Sequence, residues 1–77
     1  MKKQIAILGS TGSIGKTLIN ILKKDKKNIE LKLITTNKNI KELIKQINIF
    51  NVKNVIVKDY KSFIQIKKIL KNKKIKI

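Results

Sequence analysis

Three glycines within a stretch of seven residues constrain the fold of this chain more than any other feature of its sequence. They belong to the segment Gly9-Ser10-Thr11-Gly12-Ser13-Ile14-Gly15. A short apolar run, Gln4-Ile5-Ala6-Ile7-Leu8, precedes this segment, and apolar residues at helical spacing follow it. A strand, a glycine-rich turn and a helix in this order predict the phosphate-binding turn of a nucleotide-binding α/β fold.

Each glycine has its own task in such a turn. Gly9 permits the tight turn off the strand, Gly12 lets backbone amides approach a diphosphate, and Gly15 lets the helix pack against the strand. The free amides and the positive dipole end of the helix then bind an anion without any charged side chain. The hydroxyl donors that we expect to add to this site belong to Ser10, Thr11 and Ser13. The alternative is that the segment is a structural turn and nothing more.

The rest of the chain continues the alternation of strand and helix. The run before the glycines is typical of a strand buried on both faces of a parallel sheet. The helix after them is indicated by Ile14, Leu18, Ile21 and Leu22. Residues 29–35 predict a second strand, residues 55–57 a third, and Ile75 and Ile77 the beginning of a fourth. The apolar faces of two more helices comprise Ile40, Leu43, Ile44, Ile47 and Phe50 in one, and Phe63, Ile66, Ile69 and Leu70 in the other.

Helix starts are marked by capping residues. Asn39 can cap the helix after the second strand while Glu42 reaches back to it, an Asn variant of the capping box. Asp59 is the corresponding cap of the next helix. This order of elements predicts an α/β fold, a partial Rossmann-like parallel sheet of about three to four strands with alternating helices.

A P-loop is the main rival interpretation of the glycine segment, because Gly15-Lys16-Thr17 resembles the end of G-x-x-x-x-G-K-[ST]. The spacing argues against it. Ser10 stands five positions before Gly15, and Gly9 is one residue too early for the first glycine of that motif. We therefore expect Lys16 to be an exposed helix residue, with a P-loop-like nucleotide-binding fragment kept as an alternative.

The residues after the second predicted strand indicate which dinucleotide fits. NAD-selective folds place an acid about 20 residues beyond the glycines, where it holds the ribose 2′-hydroxyl. Here the corresponding stretch is Thr35-Thr36-Asn37-Lys38-Asn39, which has no carboxylate. Lys38 offers a cation to a 2′-phosphate and the two asparagines offer amide donors, so the sequence favours NADPH. The competing interpretations are that Lys38 is one of many solvated lysines and that Asn39 is a helix cap alone.

Composition excludes several classes of function. The 77 residues suffice for one small domain. The sequence has no cysteine and no histidine, which excludes a disulfide framework, a thiolate metal site and the commonest general base. No apolar run approaches the roughly 18 residues of a membrane span, and the run at the start is too short for a signal peptide. We therefore expect a cytoplasmic protein with no membrane partner.

The formal net charge of +16 makes nucleic acid a candidate partner. The basic residues are all lysine, however, and abundant Lys, Ile and Asn without Arg are typical of A+T-rich genes. Specific nucleic-acid binding favours Arg and aromatic stacking platforms, whereas these lysines are scattered and the aromatic residues are Phe50, Tyr60 and Phe63. A basic polyanion- or nucleic-acid-binding module stays an alternative, and weak, salt-sensitive polyanion adhesion is expected in either case.

The opening run Lys3-Gln4-Ile5-Ala6-Ile7-Leu8-Gly9-Ser10-Thr11-Gly12-Ser13-Ile14-Gly15 resembles that of the 1-deoxy-D-xylulose 5-phosphate reductoisomerase family. The similarity continues through Asn37-Lys38-Asn39, Leu43-Ile44-Lys45-Gln46 and Phe50-Asn51-Val52-Lys53-Asn54-Val55. The resemblance implies an NADPH-dependent oxidoreductase that isomerises and reduces 1-deoxy-D-xylulose 5-phosphate to 2-C-methyl-D-erythritol 4-phosphate in non-mevalonate isoprenoid biosynthesis. For the full-length family it also implies a divalent metal (Mg²⁺ or Mn²⁺), a phosphorylated sugar substrate and a homodimer.

The same resemblance implies roles for individual residues. Those implied to hold the cofactor diphosphate are Thr11, Gly12, Ser13 and Ile14. Those implied to surround the adenosine 2′-phosphate are Asn37, Lys38 and Asn39. Asn37 departs from the family pattern, because many members have glycine there. With Gly9 and Gly15, which shape the turn, these residues form the predicted cofactor site.

Family members are several times longer than this chain. Their acidic metal ligands, substrate-phosphate ligands and mobile active-site loop lie in segments that have no counterpart here. The four acidic residues, Asp25, Glu30, Glu42 and Asp59, are spread along the sequence, so we assign no catalytic residue and no metal ligand. We expect residues 1–77 to be an N-terminal NADPH-binding half-domain without the metal-binding, substrate-binding and C-terminal domains. We expect such a piece of a longer protein, or product of a truncated gene, to be inactive on its own.

Overall fold

The computed structural model describes residues 2–71 and 73–77, and within them three parallel strands alternate with three α-helices. The elements are β1 (Lys3–Ile7), α1 (Ser13–Lys23), β2 (Ile29–Thr36), α2 (Ile40–Phe50), β3 (Asn54–Val57) and α3 (Tyr60–Ile69). A short 3-10 helix, Lys26–Asn28, joins α1 to β2. The alternation predicted from the hydrophobic pattern is confirmed.

The three strands form one sheet in the order β1-β2-β3, with β2 in the centre. Both pairings are parallel. Ile7 lies beside Ile34 and Leu33 beside Asn54, and the register shifts between Ile5 and Ala6. This succession is one half of the strand order of a doubly wound sheet. The predicted Rossmann-like α/β fold is therefore confirmed.

Residues 75–77 meet the outer edge of β3, where the fourth strand was expected to begin. Lys76 forms a single parallel bridge with Asn54. The Val55 amide donates to the Lys76 carbonyl at 2.9 Å, and the Lys76 amide donates to the Lys53 carbonyl at 2.7 Å. The predicted position therefore pairs with the sheet, but through one residue and not through a continuous strand.

The hydrophobic core lies between the sheet and the helices. It comprises Ile7, Ile19, Leu31, Ile34, Leu43, Ile47, Val52, Val55, Val57, Ile66 and Leu70. The apolar face predicted for α2 is confirmed, with Leu43 and Ile47 buried and the other members packed against the core. Among the described residues, no helix combines the length and the apolar character needed to cross a bilayer.

The predicted apolar faces of α1 and α3 are partly wrong. Ile14 and Ile21 are 79% and 57% exposed, whereas Ile19 is 3% exposed. Helix α1 carries two apolar stripes, and the stripe that faces the core begins at Gly15, where the helix comes closest to the glycine turn. On α3, Ile66 and Leu70 are buried as predicted, but Ile69 is exposed.

The expectation that the first strand is buried on both faces is also wrong. β1 pairs with β2 along one side and is an edge strand of this sheet. Ile7 is buried, Ile5 is half-buried, and Gln4 and Ala6 are exposed. Within the described residues, the second face of β1 is therefore uncovered.

Candidate functional site

Two of the three glycines are required by the fold of the turn. Gly9 follows β1 with a φ of +72°, a left-handed conformation that side chains disfavour. Gly15 lies where α1 meets the turn. A Cβ atom at Gly15 would press against the Gly9 carbonyl oxygen and lie 2.6 Å from Ser10 Cα. The predicted tasks of Gly9 in turning the chain and of Gly15 in close packing are confirmed.

Gly12 is different, because nothing in the described structure requires glycine there. Its backbone is extended, with φ −73° and ψ 173°, a conformation that any residue adopts. A Cβ atom at this position would meet only the Gly9 carbonyl oxygen, at an ordinary 3.5 Å. The missing side chain instead leaves open the space in front of the helix, which is what a ligand approaching the backbone would need.

The amides of the first turn of α1 face this space. The first backbone bond of the helix runs from the Lys16 amide to the Gly12 carbonyl at 2.8 Å, so the preceding amides have no helical acceptor. Gly12 is the N-cap residue of α1. No side chain of the described residues accepts a hydrogen bond from the amides of the first turn, and the first turn contains no acid. Ser13 and Ile14 are exposed. This helix end therefore presents free donors and the positive end of the dipole, which favour an anion.

The first half of the turn is held by the carboxyl end of β2. The Gly9 amide donates to Thr35 Oγ1 at 2.7 Å, and the Ser10 amide donates to the Thr35 carbonyl at 2.9 Å. Thr11 Oγ1 and Thr36 Oγ1 share a hydrogen bond of 2.6 Å. These bonds fix the turn against the neighbouring strand before the chain enters α1.

The expectation that the Ser10 hydroxyl serves the diphosphate is wrong. Ser10 is fully buried, and its hydroxyl donates to the Thr35 carbonyl at 3.3 Å. The Thr11 hydroxyl is half-buried against Thr36, whereas the Ser13 side chain is exposed. Backbone amides therefore dominate the donors at this helix end, with the Ser13 hydroxyl beside them.

The second predicted part of the site, Asn37–Asn39, is an exposed loop directly after β2. The Asp59 amide donates to the Asn37 carbonyl at 3.0 Å, and the Ser62 hydroxyl donates to the Lys38 carbonyl at 3.4 Å. The start of α3 therefore holds this loop from one side. Because β1 and β2 are parallel neighbours, the loop and the glycine turn lie at the same edge of the sheet. The structure thus brings together the nine residues predicted as the site, and their role in binding stays a prediction.

Helices α2 and α3 begin with the predicted caps. Asn39 Oδ1 accepts from the Glu42 amide at 3.2 Å, and Asp59 Oδ2 accepts from the Ser62 amide at 3.0 Å. The reciprocal half of the predicted capping box is replaced by another bond, because the Glu42 carboxylate accepts from Gln46 Nε2 at 3.2 Å.

Asp59 lies near the positive charges of two lysines. Hydrogen bonds from the Ser62 amide and hydroxyl, with the nearby charges of Lys38 and Lys61, hold the pKa of the Asp59 carboxyl below its ordinary value. The carboxylate form is therefore favoured next to the loop that carries Lys38.

Gln46 was not predicted as part of the site. It lies on α2, is fully buried, and its Nε2 donates to the Ser10 carbonyl at 2.9 Å. The sequence carried a signal for it, since Gln46 is a polar residue inside the apolar stripe formed by Leu43 and Ile47. Sequence reasoning also missed Thr35 and Thr36 as the residues that anchor the glycine turn.

An open cavity of about 360 Å³ lies along the outer side of the glycine turn. Its lining comprises Ile7, Leu8, Gly9, Gly12, Ser13, Ile14, Gly15 and Leu18. Apolar side chains therefore adjoin the free amides of α1. Such a surface can accept a flat, largely apolar group attached to an anion.

The acidic side chains do not converge in the described part of the chain. Asp25 accepts from Asn28 Nδ2 at 2.6 Å, and Glu30 pairs with Lys32 at 3.3 Å. Glu42 and Asp59 are engaged in the bonds given above. No group of three or more His, Cys, Asp or Glu residues that could hold a metal ion occurs in residues 2–71 and 73–77.

Lys16, the lysine of the rival P-loop interpretation, is exposed on α1, as expected from its spacing. In a P-loop the lysine side chain reaches the phosphates over a cradle of backbone amides. Here the turn is one residue longer than that motif, and Gly9 and Ser10 are held back against Thr35. The geometry favours the dinucleotide-type turn.

Residues 5–77 match the family model described as 1-deoxy-D-xylulose 5-phosphate reductoisomerase. The chain is 60% identical over 75 residues to the protein of that name from Pelagibacter ubique (strain HTCC1062), covering 97% of this chain and 19% of the relative. It is 42% identical over 69 residues to the protein of that name from Thermoanaerobacter sp. (strain X514), covering 90% of this chain and 18% of the relative.

A solved structure shows the same fold. The 1-deoxy-D-xylulose 5-phosphate reductoisomerase from Zymomonas mobilis, in complex with NADPH, superposes with a TM-score of 0.90 and 22% identity. The match covers 99% of this chain and 20% of that one. The chain therefore spans about a fifth of the length of the relatives that it matches.

Proposed function

The chain belongs to the 1-deoxy-D-xylulose 5-phosphate reductoisomerase family, and on this premise we propose that residues 1–77 are the N-terminal half of its NADPH-binding domain. The Zymomonas mobilis relative that shares the fold is in complex with NADPH. In this chain the ligand-binding edge comprises the glycine turn after β1 and the Asn37–Asn39 loop after β2.

The observation that carries the proposal is the open N-terminus of α1. Gly9 and Gly15 are explained by the fold, whereas the fold does not require glycine at Gly12, and the lack of a side chain there leaves the helix end open to a ligand. The exposed amides of Ser13 and Ile14 provide donors, and the helix dipole adds a favourable potential. A dinucleotide diphosphate has the charge and size for this position.

The Asn37–Asn39 loop is proposed to hold the adenosine 2′-phosphate. Lys38 is exposed and contributes a cation, and no acid of this loop competes with the phosphate. The carboxylate of Asp59 lies close enough to influence Lys38, but it is occupied by two hydrogen bonds from Ser62. We therefore propose that NADPH binds in preference to NADH.

For the whole protein we propose the family reaction, the isomerisation and reduction of 1-deoxy-D-xylulose 5-phosphate to 2-C-methyl-D-erythritol 4-phosphate, in the cytoplasm and as a homodimer. NADPH, when bound, supplies the hydride. This chain binds the diphosphate and the 2′-phosphate, and in this way it orients the cofactor. The substrate ligands and catalytic residues are supplied by the regions of the relatives that the chain does not match.

The divalent metal of the family reaction does not fit the residues described here. Each of the four acids is engaged with a different local partner, and no three of the potential ligands come together in the described ranges. A metal held by carboxylates needs such a convergence. We therefore propose that the metal site lies outside this chain.

The proposal is tested by comparing the affinities of the chain for NADPH and NADH by isothermal titration calorimetry. We expect NADPH to bind more tightly, and Lys38→Glu to remove most of the preference, a loss of about tenfold for a lost charge contact. Lys45→Glu makes the same change of charge at an exposed position of α2 and should leave the preference intact. Equal affinity of the unmodified chain for both cofactors would contradict the site assignment.

The alternatives are separated by two further variants. A P-loop protein would bind magnesium nucleoside triphosphate and lose it with Lys16→Ala. A nucleic-acid module would bind DNA or RNA with sequence preference at physiological salt and keep that binding in Gly12→Val. Under our proposal Lys16→Ala leaves NADPH binding unchanged and Gly12→Val abolishes it.

A further inference from the structure

Gln46 is a polar residue at a core position, where a buried amide has a cost in folding stability. Its side chain is fully buried in the apolar face of α2, where Leu43 and Ile47 pack into the core. Its Oε1 is buried and has no hydrogen-bond partner among the described residues. A buried acceptor without a donor destabilises a fold, and an apolar side chain of similar size would avoid that cost. The position of Gln46 therefore calls for an explanation other than core packing.

The orientation of the Gln46 amide is determined by its neighbours. Nε2 donates to the Ser10 carbonyl at 2.9 Å and to Glu42 Oε2 at 3.2 Å. Both partners are acceptors, so the amide nitrogen and not the oxygen must face them. Gln46 thus joins helix α2 to the glycine turn across a sequence separation of 36 residues.

The bond to Ser10 determines the direction of the next amide. The Ser10 carbonyl and the Thr11 N–H belong to one peptide unit, and the described chain contains no cis peptide bond. In a trans peptide these two groups point in opposite directions. Because the Ser10 carbonyl points to the buried Gln46 amide, the Thr11 N–H is directed away from it.

Ser10 is held at three atoms in this arrangement. Its amide and hydroxyl donate to the Thr35 carbonyl, and its carbonyl accepts from Gln46. Ser10 lies two residues before Gly12, so the course of the chain into the open end of α1 is set from β2 on one side and from α2 on the other.

We infer that Gln46 is a positioning residue for dinucleotide binding, which it serves by fixing the Ser10–Thr11 peptide so that the Thr11 amide joins the donors facing the diphosphate. The inference rests on the proposed function. Gln46 does not touch the ligand in this assignment, and its effect is transmitted by one peptide unit. It follows that the residue matters for the diphosphate and not for the 2′-phosphate.

The test compares Gln46→Leu with Gln65→Leu, the same substitution at an exposed position of α3. Affinities are measured calorimetrically for NADPH, for NADH and for adenosine 2′-monophosphate, which has no diphosphate. We expect Gln46→Leu to weaken both dinucleotides by about tenfold, equally, because one oriented hydrogen bond is lost, and to leave the monophosphate unchanged. Gln65→Leu should change none of the three. Unchanged dinucleotide affinity in Gln46→Leu, or an equal loss for the monophosphate, would overturn the inference.

A second measurement does not depend on any ligand. Amide hydrogen exchange of the free chain should become at least about tenfold faster at Gly9 and Ser10 in Gln46→Leu, because the turn loses one of its anchors, while the α3 amides are unaffected. Gln46→Met serves in the same assay if the leucine variant does not fold. Unchanged exchange at Gly9 and Ser10 would show that Gln46 does not fix the turn. If the unmodified chain fails to bind NADPH while the exchange result is as expected, the proposed function is wrong and the structural part of the inference stands.

Discussion

The N-terminus of α1 and the N-termini of α2 and α3 meet the same physical requirement in opposite ways. All three helices begin with amides that have no helical acceptor. In α2 and α3 a side chain supplies one, through Asn39 and Asp59. In α1 the cap position is Gly12, no side chain of the described residues accepts from the first turn, and the first turn contains no acid.

The difference separates a structural helix end from one that is available to a ligand. A side-chain cap contributes about 0.5–2 kcal/mol relative to alanine, and α1 forgoes it. An external anion can supply at α1 what Asn39 and Asp59 supply at the other two helices.

The largest effect is expected from Gly15→Ala, which moves the start of α1 away from the turn. The added Cβ would lie 2.6 Å from Ser10 Cα, and backbone cannot yield as a flexible side chain does. We expect a loss of about 3 kcal/mol or more in the free energy of unfolding, measured by urea denaturation and circular dichroism. Gly12→Ala, which has room for its Cβ, is the control and should change stability by about 1 kcal/mol or less. Equal loss in both variants would refute the close approach described at Gly15.

Gly12→Asp gives α1 a cap like that of α3. The fold should be unchanged or stabilised, by a few tenths to about 1 kcal/mol, because a carboxylate caps the helix and complements its dipole. NADPH affinity should fall about a hundredfold, since the carboxylate occupies and repels the position of the diphosphate. Gly12→Asn adds a cap of the same shape without the charge and should weaken binding less. Undiminished NADPH binding in Gly12→Asp, measured calorimetrically, is incompatible with the proposed site.

Asn39→Ala removes the side-chain cap of α2. In the free chain this helix then begins with amides that have no acceptor, as α1 does. We expect the free energy of unfolding to fall by about 1 kcal/mol. Asn39→Asp keeps an acceptor for the Glu42 amide and should retain most of the stability. Urea denaturation of the two variants distinguishes a lost cap from a general effect of substitution, which would lower both equally.

The smallest expected effect is the loss of folding stability at low pH that comes from Asp59, the cap of α3. The pKa of Asp59 is lowered in the folded state, so its contribution to stability is present above the unfolded pKa and is lost as the pH falls through the folded pKa. The cap of α2 is an amide and does not titrate. Asp59→Asn should therefore lose less stability than the unmodified chain between neutral and strongly acidic pH. Identical pH dependence of the urea midpoint in both proteins would show that the carboxylate is not the titrating cap.

The sequence predicted the parts of the fold that local chemistry controls. The caps Asn39 and Asp59, the bounds of α2 and the turn at Gly9 follow from residue types that suit one backbone position. Periodicity could not decide between the two apolar stripes of α1, because both have helical spacing. The choice of the stripe with Ile19 depends on how closely Gly15 approaches Ser10, which is a tertiary contact.

The features of the candidate site also divide into those that the sequence predicted and those that depend on tertiary contacts. The open start of α1 was predictable from the glycines between a strand and a helix, and its role in binding stays a prediction. The inward-facing Ser10 hydroxyl, the Thr11–Thr36 bond and the reach of Gln46 from α2 were not, because they depend on which groups β2 and α2 bring within hydrogen-bond distance. The burial predicted for β1 was wrong because an apolar run does not reveal whether both faces of a strand are covered, and Gln4 and Ala6 are exposed among the described residues.

The most direct test is a titration of the ¹⁵N-labelled chain with NADPH, followed by the chemical shifts of the backbone amides. We expect the largest changes at Ser13 and Ile14, whose amides have no acceptor among the described residues. Small changes are expected at Glu42 and Ser62, whose amides are already bonded to caps. Binding of NADPH with unshifted amides at the start of α1, and with the main changes at the capped helix ends, would contradict it.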